Sequence, residues 1–196
     1  MSAILATARY PVERETDVVL HDGAALHLRP VRAEDGEAMR ASLDSVSPDS
    51  ISLRFFGTPD LNWATEWSVK VDYSDRFGLV VETGDPVAIV AHAAYTRIDC
   101  ERAEVAFLVA DGWQGRGIST ILLAQLAEVA EQHGFSTLFA QMLPHNHRMI
   151  NVFRERGLPV KLRSTPDAVE VELPAWLSVS AGYVRKLTPR TATVSQ

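Results

Sequence analysis

With 196 residues, 46% of them hydrophobic, and a formal net charge of −6, the chain has the length and apolar content for one domain with a full core and is too short for two large ones. The acidic balance disfavours a nucleic-acid partner, whose phosphates it would repel, and suits a cationic substrate and ordinary solubility alike. The single cysteine, Cys100, excludes an internal disulfide and a cysteine-rich metal site; no apolar run is long enough to span a membrane, and no basic-then-apolar leader is present, so a cytoplasmic protein without a membrane partner is expected.

Residues 1–20 read as a lead-in with one short strand at Asp17 to Leu20, followed by a hairpin-type Asp22-Gly23 turn. Ala25 to Val31 alternates Leu26, Leu28 and Pro30 against His27 and Arg29, the pattern of a strand with one wet face, and Pro30 restricts its ladder to an edge or a strand end. From Glu34 to Val46 the apolar positions Met39, Leu43 and Val46 fall at helical spacing behind an acidic first turn, and Ser47-Pro48 stops that helix. The apolar and aromatic stretch Ile51 to Gly57 follows, and Thr58-Pro59-Asp60 opens a second helix with Trp63 and Trp67 on one face. Those tryptophans read first as core and second as part of a substrate pocket.

Phe77 to Glu82 and Val87 to Tyr95 are strands joined by a hairpin turn at Thr83 to Pro86, and Glu101 to Val109 is the third member of the meander. Ile118 to Gln132 is an amphipathic helix ending at His133-Gly134; Thr137 to Met142 is a strand; Asn146 to Arg156 is a helix closed by Gly157. Val160 to Leu162 and Val169 to Leu173 form a closing hairpin, after which residues 176–196 are an irregular tail, loose from about Leu187. The folded unit is thus expected over residues 21–175.

The most informative stretch is Glu104 to Ser119, where a strand bearing one acid breaks into a glycine turn and a helix. That order gathers free backbone N–H groups and the positive end of a helix dipole at one point, which suits an anion. A dinucleotide turn needs a third glycine at residue 120, which is Thr120, and a phosphate loop ending in Gly-Lys-Ser or Gly-Lys-Thr is absent. What remains, Gln114-x-x-Gly117-x-Ser119, resembles the Gln/Arg-x-x-Gly-x-Gly/Ala pyrophosphate loop of the GNAT acyltransferases, which bind acetyl-CoA. The order of elements agrees with that family, and Asn146-x-x-Met-x-x-Val-Phe-x-x-Arg-Gly157 is similar to its Asn-containing helix, with Leu158 in place of the usual Phe.

More narrowly, Leu28-Arg-Pro-Val-Arg-x-Glu-Asp35, Ser47-Pro-Asp-Ser-Ile-Ser-Leu-Arg-Phe-Phe-Gly57 and Ala103-Glu-Val-Ala-Phe107 resemble the bacterial Pat-type protein lysine acetyltransferases, over roughly residues 17–174. The likeness implies an α+β GNAT fold, with a mixed, mostly antiparallel sheet of about seven strands flanked by about four helices. It also implies acetyl-CoA as co-substrate, no metal, and a lysine side chain of a protein as acceptor, an acyl-CoA synthetase being the substrate of that group.

Residue by residue, the likeness makes Glu104 the general base that takes a proton from the amine. By alternation Glu104 shares a face with Ala106 and Leu108, and an acid on an apolar face holds its proton more tightly than one in water. The plain alternative is a solvent-facing Glu104 paired with Arg97 or Arg102, with Glu101 as fallback base.

Phe107, Leu108 and Val109 would offer backbone groups to the pantetheine arm, with N–H groups near Leu108 and Val109 holding the oxyanion. Gln114, Gly115, Arg116, Gly117, Ile118 and Ser119 would hold the pyrophosphate, Arg116 by reaching a phosphate oxygen. Asn146 would bond the pantetheine amide or simply cap its helix. Many relatives carry a Tyr acid seven residues after that Asn, where Phe153 stands here. His145 and His147 lack the neighbouring acid or cysteine that a metal site needs. Two other readings stay open: a small-molecule amine acetyltransferase of the same fold, and a non-catalytic acyl-CoA sensor.

Overall fold

The alternating runs at 76–109 fold as an antiparallel meander of β3 (Arg76–Thr83), β4 (Ala88–Arg97) and β5 (Arg102–Val109). The computed structural model describes residues 9–154 and 159–176. Before the meander come β1 (Thr16–Val19) and β2 (Ala25–Pro30), and after it β6 (Thr137–Met142), β7 (Lys161–Ser164) and β8 (Val169–Pro174). All join one eight-stranded sheet in the order β1-β2-β3-β4-β5-β6-β8-β7. The count exceeds the expected seven because β1 of the lead-in pairs residue for residue with β2, Thr16 to Leu28 through Val19 to Ala25. Pro30 ends β2, where its missing N–H costs the ladder least.

Five α-helices pack on the sheet among the described residues: α1 (Gly36–Asp44), α2 (Pro48–Phe55), α3 (Leu61–Val69), α4 (Ile118–Gln132) and α5 (His147–Arg154). The helix beyond the expected four is α2, and its cause is local. Ser47-Pro48 ends one helix and starts another: Pro48 occupies the first turn, where its missing N–H is harmless, and the Ser47 hydroxyl accepts from the Ser50 N–H at 3.3 Å. Phe56, in the left-handed region at φ 60°, closes it before Gly57. In the same way Asp60 caps α3 by accepting from Trp63 N–H at 2.9 Å. The Gly157 and Leu158 positions and the tail from residue 177 lie outside the described residues.

Period-2 alternation divides the sheet between two cores. Leu26, Leu28, Leu79, Val81, Ala93, Tyr95 and Val105 face α4 and α5, meeting Leu122, Leu126, Ile150 and Phe153. Val31, Val80, Ile89 and Leu108 face the other way, toward Met39, Leu43, Ile51 and Ala64 of α1–α3. No described helix is long and apolar enough to cross a membrane.

What positions the site is a defect in pairing. β5 and β6 run parallel but pair only at Arg102–Thr137, Ala103–Leu138 and Glu104–Phe139. Beyond Glu104 the strands part, and β6 turns its partnership to β8 over its whole length, Thr137 to Met142.

Candidate active site

The parting of β5 from β6 leaves a cleft of about 860 Å³, walled by Val105–Val109, by Ala140–Met142, by Ser50, Leu53 and Arg54 of α2, and by Asn146, Met149 and Phe153 at α5. Its floor end is the turn from Gln114 to Thr120. Among the residues expected to bind cofactor, Phe107, Leu108, Val109, Gln114, Gly115, Gly117, Ile118, Ser119 and Asn146 all line this one cleft, although they span four elements.

Backbone parity along β5 sorts their roles. Ala110 N–H donates to Val90 O on the β4 side, whereas Glu101 O accepts from Ser136 and Thr137 on the β6 side. Counting by twos, Val105, Phe107 and Val109 present their backbone groups to the opened side, while Leu108 is directed to β4. The oxyanion donors expected near Leu108 and Val109 therefore reduce to Val109, with Phe107 beside it. Val109 O is already taken, accepting from Gln114 Nε2 at 3.0 Å.

The glycine turn fits an anion on its own geometry. Gly115 and Gly117 are left-handed, at φ +76° and +86°, and a Cβ added to either would meet no atom within 4 Å. Gly117 caps α4 without a side-chain partner, and the first turn of α4 holds no acid, so its N–H end is neither blocked nor neutralised by its own helix. A diphosphate carried by coenzyme A is the kind of group this end suits.

Expectations about the side chains of Arg116 and Glu104 are corrected, and the Gln114 side chain is occupied within the protein. Gln114 does not reach into the cleft as a free ligand: its Nε2 donates to Ser50 Oγ (3.0 Å), Val109 O (3.0 Å) and Asp111 Oδ1 (3.2 Å), and its Oε1 accepts from Arg148 Nη1. It braces the turn against α2, β5 and α5. Arg116 is absent from the cleft wall; it pairs with Asp22 of the β1–β2 turn at 2.6 Å and stacks 4.2 Å over Trp113. Glu104 shares its sheet face with Ala106 and Leu108 as expected, yet it is exposed, without the apolar cover assumed for it, and it stands just outside the cleft wall, which begins at Val105.

Glu104 is not a surface ion-pair residue either. Arg97 pairs with Asp75 at 2.6 Å and Arg102 with Asp99 at 2.8 Å, and Glu104 has no salt bridge among the described residues. Glu101, the fallback base, is exposed at the turn before β5, away from the cleft wall. Asn146 Oδ1 accepts from Met149 N–H at 3.2 Å, so it caps α5 while still lining the cleft, which leaves its amide N–H₂ for a second partner. His145 and His147 line the cleft as well, and no described group of three His, Cys, Asp or Glu is arranged to hold a metal.

Two contributors were not visible in the sequence. Asp111 accepts from Ser47 N–H (2.8 Å), Ser47 Oγ (3.1 Å) and Ser50 Oγ (2.6 Å), fastening the start of α2 beside the turn. The Ser50 hydroxyl and the Ser47 N–H hold the Asp111 carboxyl below the ordinary Asp range, against a small opposing effect of burial. Arg54, one helical turn beyond Ser50, lines the cleft with no hydrogen bond to it; burial pushes its guanidinium down to about 10, opposed by the Glu104 carboxylate. The Ile51 to Gly57 stretch carries no plain helical stripe to place Arg54, and only the seating of α2 on β5 brings it in.

Comparison with known proteins bears on the fold and the family. Residues 45–158 match the family model of the acetyltransferase (GNAT) family. An acetyltransferase of Pseudomonas aeruginosa is 30% identical over 78% of this chain and 84% of its own length. Acetyltransferase Pat of Mycolicibacterium smegmatis is 31% identical over 71% of this chain, and the match spans 43% of that protein. Among solved structures, the GNAT domain of S. lividans PAT superposes with a TM-score of 0.77 at 34% identity, covering 85% of this chain and 99% of that one. A cAMP-binding acyltransferase from Mycobacterium smegmatis superposes at 0.56 with 26% identity, covering 83% of this chain and 50% of the other. The chain belongs to the acetyltransferase (GNAT) family, as an N-acetyltransferase with Pat-type proteins among its homologues.

Proposed function

We propose that the protein transfers an acetyl group from acetyl-CoA to the side-chain amine of a protein lysine, with Glu104 as general base. An acyl-CoA synthetase is the substrate class that the Pat likeness implies. The observation that carries the reading is the parted β5–β6 pair: an uncapped helix N-terminus lies at one end of the opening, and at the other the last paired residue of β5 is an acid with no ion-pair partner among the described residues.

A lysine amine is almost wholly protonated at neutral pH, so attack requires a proton acceptor close to the thioester. In the proposed step one ammonium proton passes to Glu104, the amine nitrogen forms its bond to the acyl carbon, and as the carbon–sulfur bond breaks the nitrogen releases its second proton to solvent to leave the neutral amide. Backbone N–H groups of Phe107 and Val109 are suited to the charge that develops on the thioester oxygen. The thiolate leaves as such and is protonated by solvent, since Phe153, fully buried against the cleft, has no hydroxyl to offer.

The test is Glu104→Gln, which keeps size and polarity and removes the basic oxygen. Turnover with acetyl-CoA and a lysine-containing protein should fall by about 10²- to 10⁴-fold, with coenzyme A affinity held within about twofold. Turnover equal to wild type would remove Glu104 from the mechanism.

A further inference from the structure

Among the described residues three buried side-chain nitrogens lack a hydrogen-bond partner: Arg54 Nε, Arg76 Nε and His92 Nε2. All three belong to one nook. His92 of β4 stands opposite Val80 and Leu108, on the sheet face covered by α1–α3, and Arg76 lies on that same face opposite Thr96, which in turn faces Glu104. Burial first, and then the charges of Arg54 and Arg76, keep His92 neutral, with its ring held to the Ser68 backbone.

Two of the three are otherwise engaged. Arg76 donates Nη2 to Trp67 O and lies 3.6 Å beneath the Trp67 ring. Arg54 differs: its one close contact of note is the Phe55 ring at 4.7 Å, and it has neither ion pair nor hydrogen bond to a described residue. Arg54 also lies at a defined place along the cleft. The start of α2 is tied through Ser47 and Ser50 to Asp111, next to the glycine turn, and one helical turn further on Arg54 reaches the Glu104 end, where the acyl carbon would react. Arg54 is half-buried, its Nε is shielded from water with no partner, and the through-space pull of the Glu104 carboxylate and the Phe55 ring compensate only in part.

We propose that Arg54 is a recognition point for a carboxylate that the substrate brings to the acyl end of the cleft. The fork of the guanidinium suits a planar carboxylate; behind it stand Arg76 and neutral His92, and the nearest protein anion, the Glu104 carboxylate, acts on it through space without forming an ion pair. The proposal rests on the acyl-transfer reading of the cleft. The carboxylate has two sources: the far end of a dicarboxylic acyl group on coenzyme A, or an acidic side chain beside the acceptor lysine.

The experiment measures affinity ratios by titration for wild type, Arg54→Met and Arg54→Lys. One arm compares succinyl-CoA with butyryl-CoA; the other, in the presence of coenzyme A, compares the peptides Glu-Lys-Glu and Gln-Lys-Gln. In one arm wild type should favour the carboxylate-bearing probe by about 10- to 150-fold, as charge-assisted pairing allows. That preference should collapse to near unity in Arg54→Met and persist in reduced form in Arg54→Lys. A wild-type ratio near unity in both arms, or a preference that survives in Arg54→Met, overturns the proposal. Should Arg54→Met fail to fold, the wild-type ratios together with Arg54→Lys decide the matter. Because these are binding ratios, their failure is separate from that of Glu104→Gln turnover.

Discussion

Substituting Gly117 by Ala separates the strain of a left-handed residue from the space that a ligand needs. Gly117 sits at φ +86°, and a Cβ placed on it meets no protein atom within 4 Å, so the unliganded protein pays for backbone conformation alone. That cost is about 1–2 kcal/mol, which in a chain of this size lowers Tm by roughly 2–8 °C. The empty space over Gly117 is, on the proposed reading, where the diphosphate approaches the uncapped start of α4. A methyl group there forfeits one or two N–H bonds to a charged oxygen, worth about 1.5–3 kcal/mol each, so coenzyme A affinity should fall by at least about tenfold.

Gly134→Ala is the matched control. Gly134 is also left-handed, at φ +83°, with nothing within 4 Å of an added Cβ, but it lies at the far end of the 15-residue α4, about 22 Å away. Differential scanning calorimetry and titration calorimetry on both variants give the readout. The two should lose similar Tm, and only Gly117→Ala should lose coenzyme A. Equal affinities in the two variants would refute the placement of the diphosphate on this turn.

Asp111→Ala removes the acceptor of Ser47 N–H and of the Ser47 and Ser50 hydroxyls; being exposed, it should cost only about 1 kcal/mol in urea unfolding at pH 7 while weakening coenzyme A binding through the loosened turn. Because the folded protein holds the Asp111 carboxyl below its ordinary value, that contribution is present above about pH 4 and vanishes as pH drops through the lowered value, so wild-type and variant unfolding curves should converge in acid. His92 titrates in the opposite chemical sense with the same sign of effect: burial, then Arg54 and Arg76, depress it to about 3, so the unfolded chain takes up a proton below about pH 6.5 that the folded one refuses. Wild type should therefore lose up to a few kcal/mol between pH 6.5 and 3, and His92→Gln should flatten that slope; identical slopes would show that His92 is protonated in the fold.

The conformation of the turn was legible because it is local. Gln114-x-x-Gly117-x-Ser119 behind an apolar run fixes backbone conformation and helix start within a few residues, and both appear where the pattern puts them. Strand periodicity likewise placed Glu104 on the face of Ala106 and Leu108. The second helix start at Ser47-Pro48 was written there too, but the same two residues also signal a stop, and the aromatic Ile51 to Gly57 stretch carries no plain helical stripe.

Local pattern determined which segments are strands and, α2 apart, which are helices, where the glycine turn lies, and which backbone groups are free at its helix start, because dihedral preference and side-chain period act over a few residues. Whether Glu104 is covered, whether Arg116 reaches the cleft or Asp22, whether Leu108 or Val109 presents its N–H, and whether Arg54 lines the site were decided by tertiary structure. Each depends on strand register, on the parting of β5 from β6 after Glu104, or on the seating of α2 across β5. Those are contacts between residues distant along the chain, set by packing of whole faces, and no short stretch of sequence carries them.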